Sequence, residues 1–390
     1  MRVSDFGLKY KLQKAVLIVL SVLLSLFIAE FVLRMVYPQQ DELYVWQPHL
    51  QHTFHPDSNI FYGIKEETNF SINEQGFRGS GFENNSGDKY LCIGGSTTEC
   101  LYLSDNDTWC SQLELYLNRK LPTANYQLGS IGKSGCTTRE NYLHLKHYVP
   151  QLEEIKGVVM MVGLNDMMKR LSRDSLFEND FHFTASVEDS MVKEIFISDK
   201  KQSNWWRNLR VFKLAQQALH RTQKVKWQNV QDDTGVTLQQ WRANRKQATS
   251  IIDSLPDLSS ALDEFERNLQ LIFAETQKQK INLTLINQAV LYKDSMSVFE
   301  NNLLWMGGVG NFQQEINHAY YSASALNKAA SLYNERMKNF CSAYPQIKFI
   351  DLVAQLPKDT SVFYDDCHFN ESGARKVAAI LAPSFINSSK

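Results

Sequence analysis

The sequence predicts a three-layer α/β domain around a parallel five-stranded sheet, with a membrane-spanning helix before it and a helical insertion within it. Three observations predict this. Apolar runs of strand length alternate with amphipathic helical segments from Lys89 to the C-terminus, the pattern of a parallel sheet with helical crossovers. One run, Gly157–Gly163 (GVVMMVG), is apolar throughout, as a strand covered on both faces must be. At the other end of the chain, Ala15–Ala29 (AVLIVLSVLLSLFIA) carries no charge.

That N-terminal run extends to Val36 if Glu30 and Arg34, four residues apart, pair at the far interface. The span 15–36 is then long enough for a bilayer core, which takes about 20 helical residues. Arg2, Lys9, Lys11 and Lys14 precede it against Asp5 alone. The excess of positive charge keeps residues 1–14 in the cytoplasm and exports the rest, into the periplasm if the source is bacterial. A cleaved signal peptide is the alternative, but no small-x-small site follows the apolar core. The segment is therefore read as an uncleaved signal anchor.

Residues 37–87 show no helical period and read as a lead-in loop packed on the domain surface. The domain itself is expected over 88–386. Its strands fall at Tyr90–Ile93, Tyr126–Leu128, Gly157–Gly163, Ile281–Ile286 and Ile347–Leu352. Between and after them, helices are expected at Trp109–Leu117, Thr137–Tyr148, Ala261–Gln279, Ala323–Phe340 and Gly373–Leu381.

Residues from about 170 to 260 break this rhythm. Trp205, Trp206, Trp227 and Trp241 lie there among Arg207, Arg210, Lys213, Arg221, Lys224, Lys226, Arg242, Arg245 and Lys246. The insertion reads as a helical lid, because it leaves the sheet near the carboxyl ends of the strands, where open α/β sheets bind ligands. A net charge of −1 and the lack of a nucleic-acid motif exclude nucleic acid as a partner. Six cysteines without a CxxC pair make neither a disulfide scaffold nor a zinc site. If any pair forms outside the cytoplasm, Cys100 and Cys110, close in sequence, are the best candidates, whereas Cys92 reads as an inert core thiol.

Chemistry is expected at Lys89–Glu99 (KYLCIGGSTTE), where a strand runs through two glycines into Ser96. The hydroxyls and acid that follow suit a helix start. A serine there is a candidate nucleophile, and it needs a base, an orienting acid and an oxyanion hole. Of the nine histidines, His368 stands just before the last helix, with Asp365 three residues earlier. That spacing lets Asp365 reach Nδ1 of His368 and leaves Nε2 to accept the serine proton. Asp366 is the rival acid, pointing elsewhere in most local geometries. Oxyanion donors are expected from the Ser96 N–H, the Gly135 N–H and the Asn165 amide, all at carboxyl ends of strands.

In this order, Gly-Gly-Ser96, Gly135, Gly163-Leu-Asn165-Asp166 and Asp365-Asp-Cys-His368 resemble the four blocks of the SGNH, or GDSL-like, hydrolases. The first block has Gly-Gly-Ser in place of Gly-Asp-Ser, as is common in the bacterial branch. The second lacks the usual Asn-Ala-Gly lead and leaves Gly132 as the alternative to Gly135. Asn73–Gly79 (NEQGFRG) also looks like the lead-in of membrane-anchored members. The resemblance covers about residues 70–170 and 260–385.

It implies a flavodoxin-like fold and ester hydrolysis through a Ser96–His368–Asp365 triad, with no cofactor and no metal. The expected activity is a membrane-anchored serine esterase acting on an acyl ester, O-acetyl among them, of a glycan or lipid-like substrate. The alternatives are an O-acyltransferase for exported polysaccharide and a non-catalytic glycan-binding protein on the same scaffold.

Overall fold

The computed structural model describes residues 3–36, 43–82, 87–173, 177–178, 180–198, 209, 211, 225–227 and 232–386. The chain divides into two compact units. The first comprises Met1–Leu43 and Ser198–Lys224. Its described part is dominated by α1 (Val3–Val36), in which Gln13–Met35 is long and apolar enough to cross a membrane. Glu30 and Arg34 pair within it at 2.8 Å, as their spacing predicts.

The second unit, Tyr44–Ile197 with Val225–Lys390, is built on a five-stranded sheet, all strands parallel. In chain order the elements are β1 (Asp88–Gly94), α2 (Ser96–Glu99), α3 (Trp109–Lys120), β2 (Tyr126–Ser130), α4 (Thr138–Leu143), β3 (Ile155–Met161), α5 (Leu164–Arg173), α6 (Val236–Lys246), α7 (Ser259–Gln279), β4 (Asn282–Ile286), α8 (Ala323–Ala343), β5 (Lys348–Ile350) and α9 (Glu371–Ile386). The spatial order is β5-β4-β3-β1-β2. Starting at β1, the chain steps first to one edge and then to the other, so the carboxyl ends of β1 and β3 lie side by side at the point where the winding reverses. In open α/β sheets that crevice is where ligands bind.

All five expected strands form, each within two or three residues of its predicted ends. β3 is buried from Gly157 through Met161, which is why its sequence shows no alternation. It ends two residues before Gly163 because Gly163 takes φ +117, a conformation that leaves the strand. α7 and α8 bury their apolar stripes, including Phe265, Leu269, Tyr333 and Met337, as helical period predicts.

The lead-in is not a loop. Leu50–Phe54 and Thr68–Ser71 form an antiparallel ladder, and Val225–Lys226 adds to it in parallel. Val45, Phe54, Phe61, Phe70, Ile72 and Phe77 are buried. The strands were hidden in the sequence because each is short and rich in polar residues (LQHTF and TNFS). From this segment Arg78 reaches under the turn that follows α2. Its guanidinium donates to Glu99 O at 2.8 Å, Cys100 O at 2.9 Å and Leu103 O, and pairs with Asp105 at 2.7 Å.

The insertion is helical only in part. Its described residues include helix Ala185–Ile195, α6 and the short strand Ser250–Ile252. Trp205, Trp206, Arg207, Arg210, Lys213, Arg221 and Lys224 lie outside the described residues, as does the Lys226 side chain. Two of its basic residues are internal struts: Arg242 donates to the carbonyls of Leu303, Ile60 and Tyr364, and Arg245 to those of Met306 and Tyr321. Trp227 is enclosed by Trp46, Phe54, Phe70 and His52.

The expected Cys100–Cys110 pair does not form, and all six thiols are free and buried. Cys100 ends α2 in the left-handed conformation, φ 50, which turns its thiol back onto Thr97 O at 3.3 Å. Cys110, in the first turn of α3, instead faces β1 and meets Cys92, Sγ to Sγ 2.6 Å.

Arg78 is 4% exposed, and four carbonyls, those of Asn69, Glu99, Cys100 and Leu103, accept from it. Arg78→Met should therefore destabilise the domain by about 2–4 kcal/mol, because it leaves buried acceptors and Asp105 without their partner. Chemical denaturation of wild type and variant measures this.

Candidate active site

The turn that carries Ser96 is shaped by what crowds it. Gly95 precedes Ser96 because a Cβ there would stand 2.3 Å from Nδ2 of Asn165, inside any tolerable contact. α2 is then gripped from several sides. The Trp109 indole donates to Thr97 O at 3.0 Å, Ser130 to Thr98 O at 3.2 Å and Gln288 to the Thr97 hydroxyl at 2.8 Å. Gln288 also accepts from Leu164 N at 3.2 Å, which ties the start of α5 to the same turn.

Ser96, His368 and Asp365 come together in line. Ser96 Oγ is 2.7 Å from His368 Nε2, and His368 Nδ1 is 2.7 Å from Asp365 Oδ2. The Asp365 carboxylate is 1% exposed and accepts four hydrogen bonds. Oδ1 takes the N–H groups of Cys367 at 3.0 Å and His368 at 2.8 Å; Oδ2 takes His368 Nδ1 and the Trp305 indole at 3.0 Å. Asp366 points away, to the Tyr292 hydroxyl at 2.8 Å and the N–H groups of Trp305 and Met306.

The electrostatics follow from burial and these partners. Burial pushes Asp365 up, but the imidazole and its hydrogen bonds outweigh that and hold the carboxyl below its usual range. Burial likewise pushes His368 down, and Asp365 outweighs it, so the imidazole sits well above 6.5. Asp366 is pushed up to about 6, by burial first and by the Asp365 charge second. Glu99 is raised by burial and hydrogen-bonded to the Ser134 hydroxyl.

Asn165, the second residue of α5, donates one amide hydrogen to Cys136 O at 2.8 Å. A carboxamide has two such hydrogens, and the second has no partner among the described residues. Asp166 beside it accepts from Thr138 N and its hydroxyl, locking α5 to α4. Gly135 takes φ +80, and nothing stands within 4 Å of where its Cβ would be. Gly132, the alternative, is packed against Glu99 N, only 2.2 Å from its would-be Cβ. Ser96, Gly135, Asn165, Asp365 and His368 all line one cavity of about 950 Å³. Trp46, Trp227, Trp241 and Trp305 wall it, with Trp241 stacked on Trp305 at 4.5 Å.

Asp365, Cys367 and His368 are the one group of possible metal ligands among the described residues. Its atoms are already engaged: His368 Nδ1 faces Asp365, and burial pushes the Cys367 thiol up to about 11, which keeps it protonated.

Sequence reasoning missed Trp305, Glu99 and Arg78. Trp305 lies in a coil before a glycine pair, far in sequence from Asp365, and only the fold brings its indole there. In the sequence Glu99 reads as a helix-start acid, because a run of polar residues followed by a cysteine carries no distinctive signal for burial.

The pattern of the GDSL-like lipase/acylhydrolase family matches residues 92–376. No curated protein matches the sequence significantly. Among solved structures, the chain is similar to an alpha/beta hydrolase enzyme from the metagenome of Lake Arreo, Spain, at 14% identity and a TM-score of 0.40, covering 78% of this chain and 95% of that one. It is similar to a member of the lipolytic protein G-D-S-L family from Veillonella parvula at 12% and 0.40, covering 76% and 98%. An acetyl xylan esterase from Geobacillus stearothermophilus matches at 14% and 0.39, covering 78% and 94%.

The two shifts predict a pH window. His368, raised in the folded state, contributes stability below its unfolded value of about 6.5 and loses it as pH rises through the folded one; Asp365, lowered, contributes above about 3.9 and loses it as pH falls through its folded value. Between roughly pH 4 and 6.5 both act. Asp365→Asn should bring the His368 titration, followed by NMR, down from its raised position and abolish that stability window.

Proposed function

The chain belongs to the GDSL-like lipase/acylhydrolase family and is a serine hydrolase of esters, and from that premise we propose that Ser96, His368 and Asp365 are its catalytic triad. The observation that carries the reading is the aligned pair of 2.7 Å hydrogen bonds, Ser96 to His368 and His368 to Asp365. In this mechanism His368 Nε2 takes the Ser96 proton as Oγ attacks the ester carbonyl. Asp365 fixes the imidazole tautomer and stabilises the imidazolium. The oxyanion is met by the N–H groups of Ser96 and Gly135 and the second amide hydrogen of Asn165. His368 then protonates the departing alcohol, leaving an acyl group on Ser96. Water, deprotonated by the same imidazole, releases the acid and restores the serine.

The family membership supports an ester-bearing substrate. Trp241, stacked on Trp305 at the cavity wall, offers an aromatic platform suited to a sugar ring, so the substrate we propose is an acylated glycan. The apolar span of α1 and the basic residues before it support a single-pass anchor over residues 15–36, with residues 1–14 in the cytoplasm and the domain of 88–386 on the outer side.

Ser96→Ala should leave the fold intact and lower turnover of p-nitrophenyl acetate by about three orders of magnitude or more. A fluorophosphonate probe should label wild type at Ser96 only. Retained turnover, or labelling elsewhere, sinks the assignment. Because His368 must be neutral to accept a proton and its pKa lies well above 6.5, kcat/KM should climb with pH on the alkaline side of that value.

A further inference from the structure

Four residues on from Asn165 in α5 comes Lys169, and four further on Arg173. Residues four apart share a helix face, and all three line the cavity that holds Ser96. At a rise of 1.5 Å per residue, the backbone positions of Lys169 and Arg173 lie about 6 and 12 Å along the helix from Asn165. A substrate whose scissile carbonyl lies at Ser96 and whose sugar half runs out along α5 meets them in turn.

Neither cation has a carboxylate within ion-pair distance among the described residues, and their neighbours show what pairing looks like here. Arg139 is held by Glu264 in a two-pronged pair at 2.5 and 2.7 Å and lies over the Phe181 ring. Arg170 donates to Asp257 O at 3.0 Å. The acids of the cavity are engaged elsewhere. Glu140 accepts from Thr137 N and its hydroxyl at 2.7 and 2.6 Å, and Asp232 from the N–H groups of Gly235 and Thr237 at 2.7 and 2.9 Å. Lys169 is partly buried, and its amine is lowered first by desolvation and then by Arg139, with Arg173 adding and Glu140 and Glu264 opposing. A partly desolvated amine without a direct ion-pair partner gains from an incoming anion.

We propose that Lys169 and Arg173 seat carboxylates of the sugar half of the ester, so that the substrate is an ester of an acidic oligosaccharide. The backbone rise of about 6 Å between positions 169 and 173 sets the two side chains on successive turns of α5, an arrangement that suits one carboxylate on each of two successive sugar residues. Trp241 and Trp305 face the rings of the same chain from their own wall of the cavity. The proposal rests on the acyl-glycan reading of this site, and it names the chemistry of the glycan.

The test is binding, which does not depend on turnover. Full-length Ser96→Ala protein in detergent is titrated calorimetrically with an O-acetylated trigalacturonate and with its methyl ester, which has the same rings and no charge. The acid should bind about tenfold tighter or more, as expected of a charge-assisted hydrogen bond in a partly desolvated site. The difference should shrink with added salt and collapse towards unity on Lys169→Met or Arg173→Gln. Equal affinity for acid and ester, no binding of either, or a preference that survives both substitutions overturns the proposal. Should Lys169→Met fail to fold, Arg173→Gln, on an exposed side chain, carries the test alone. Loss of p-nitrophenyl acetate turnover bears on the triad and not on this result, so the two failures are distinguishable.

Discussion

A carboxylate that is 1% exposed and still charged is the constraint on which this site depends. Asp365 can remain ionised in the interior only because four N–H donors surround it. Two come from the chain that carries it, which curls the Asp365–His368 turn around its own side chain. The third is His368, whose ring is thereby aimed at Ser96. The fourth is the Trp305 indole, and through its stack on Trp241 it extends the network to α6. Arg242 on that helix donates to Tyr364 O, next to the acid. The imidazole is thus oriented by a packed and hydrogen-bonded shell that reaches into the insertion.

The Ser96 turn obeys the complementary rule. α2 is a single turn with no side-chain cap of its own, and it could not hold its shape in isolation. It is held by donors from the lead-in, α3, β2 and the loop after β4, namely Arg78, Trp109, Ser130 and Gln288. Asn165 fits against Gly95 so closely that no side chain could stand there. Groups fixed this firmly need little reorganisation when charge develops on a substrate oxygen, the condition under which oriented dipoles are most effective.

How much of this could be read from the chain alone follows from the range of the forces involved. The sheet could be read because burial on both faces writes itself into consecutive residues: β3 is five buried positions in a row. The helices could be read because one apolar stripe repeats with the helical period, as in α7 and α8. The His368–Asp365 contact could be read because its partners are three residues apart and the turn between them is short. By contrast, the lead-in strands defeated the reading because their apolar residues are few and their partners are one another. The Cys100–Cys110 expectation failed because nearness in sequence says nothing about which face of α3 a first-turn thiol takes.

By itself, the sequence determined the five strands of the main sheet, the order of the helices between them and the few side chains that qualify as candidates for the chemistry, since these follow from local pattern and residue type. Only the tertiary structure decided that Ser96 and His368, 272 residues apart, stand 2.7 Å from each other. It decided also that Trp305 supports the acid, that Arg78 supports the turn, and that Asn165, Lys169 and Arg173 share a cavity. The reason is physical. Each of those contacts joins segments whose separation along the chain sets no distance in space, and only the packing of the layers supplies one.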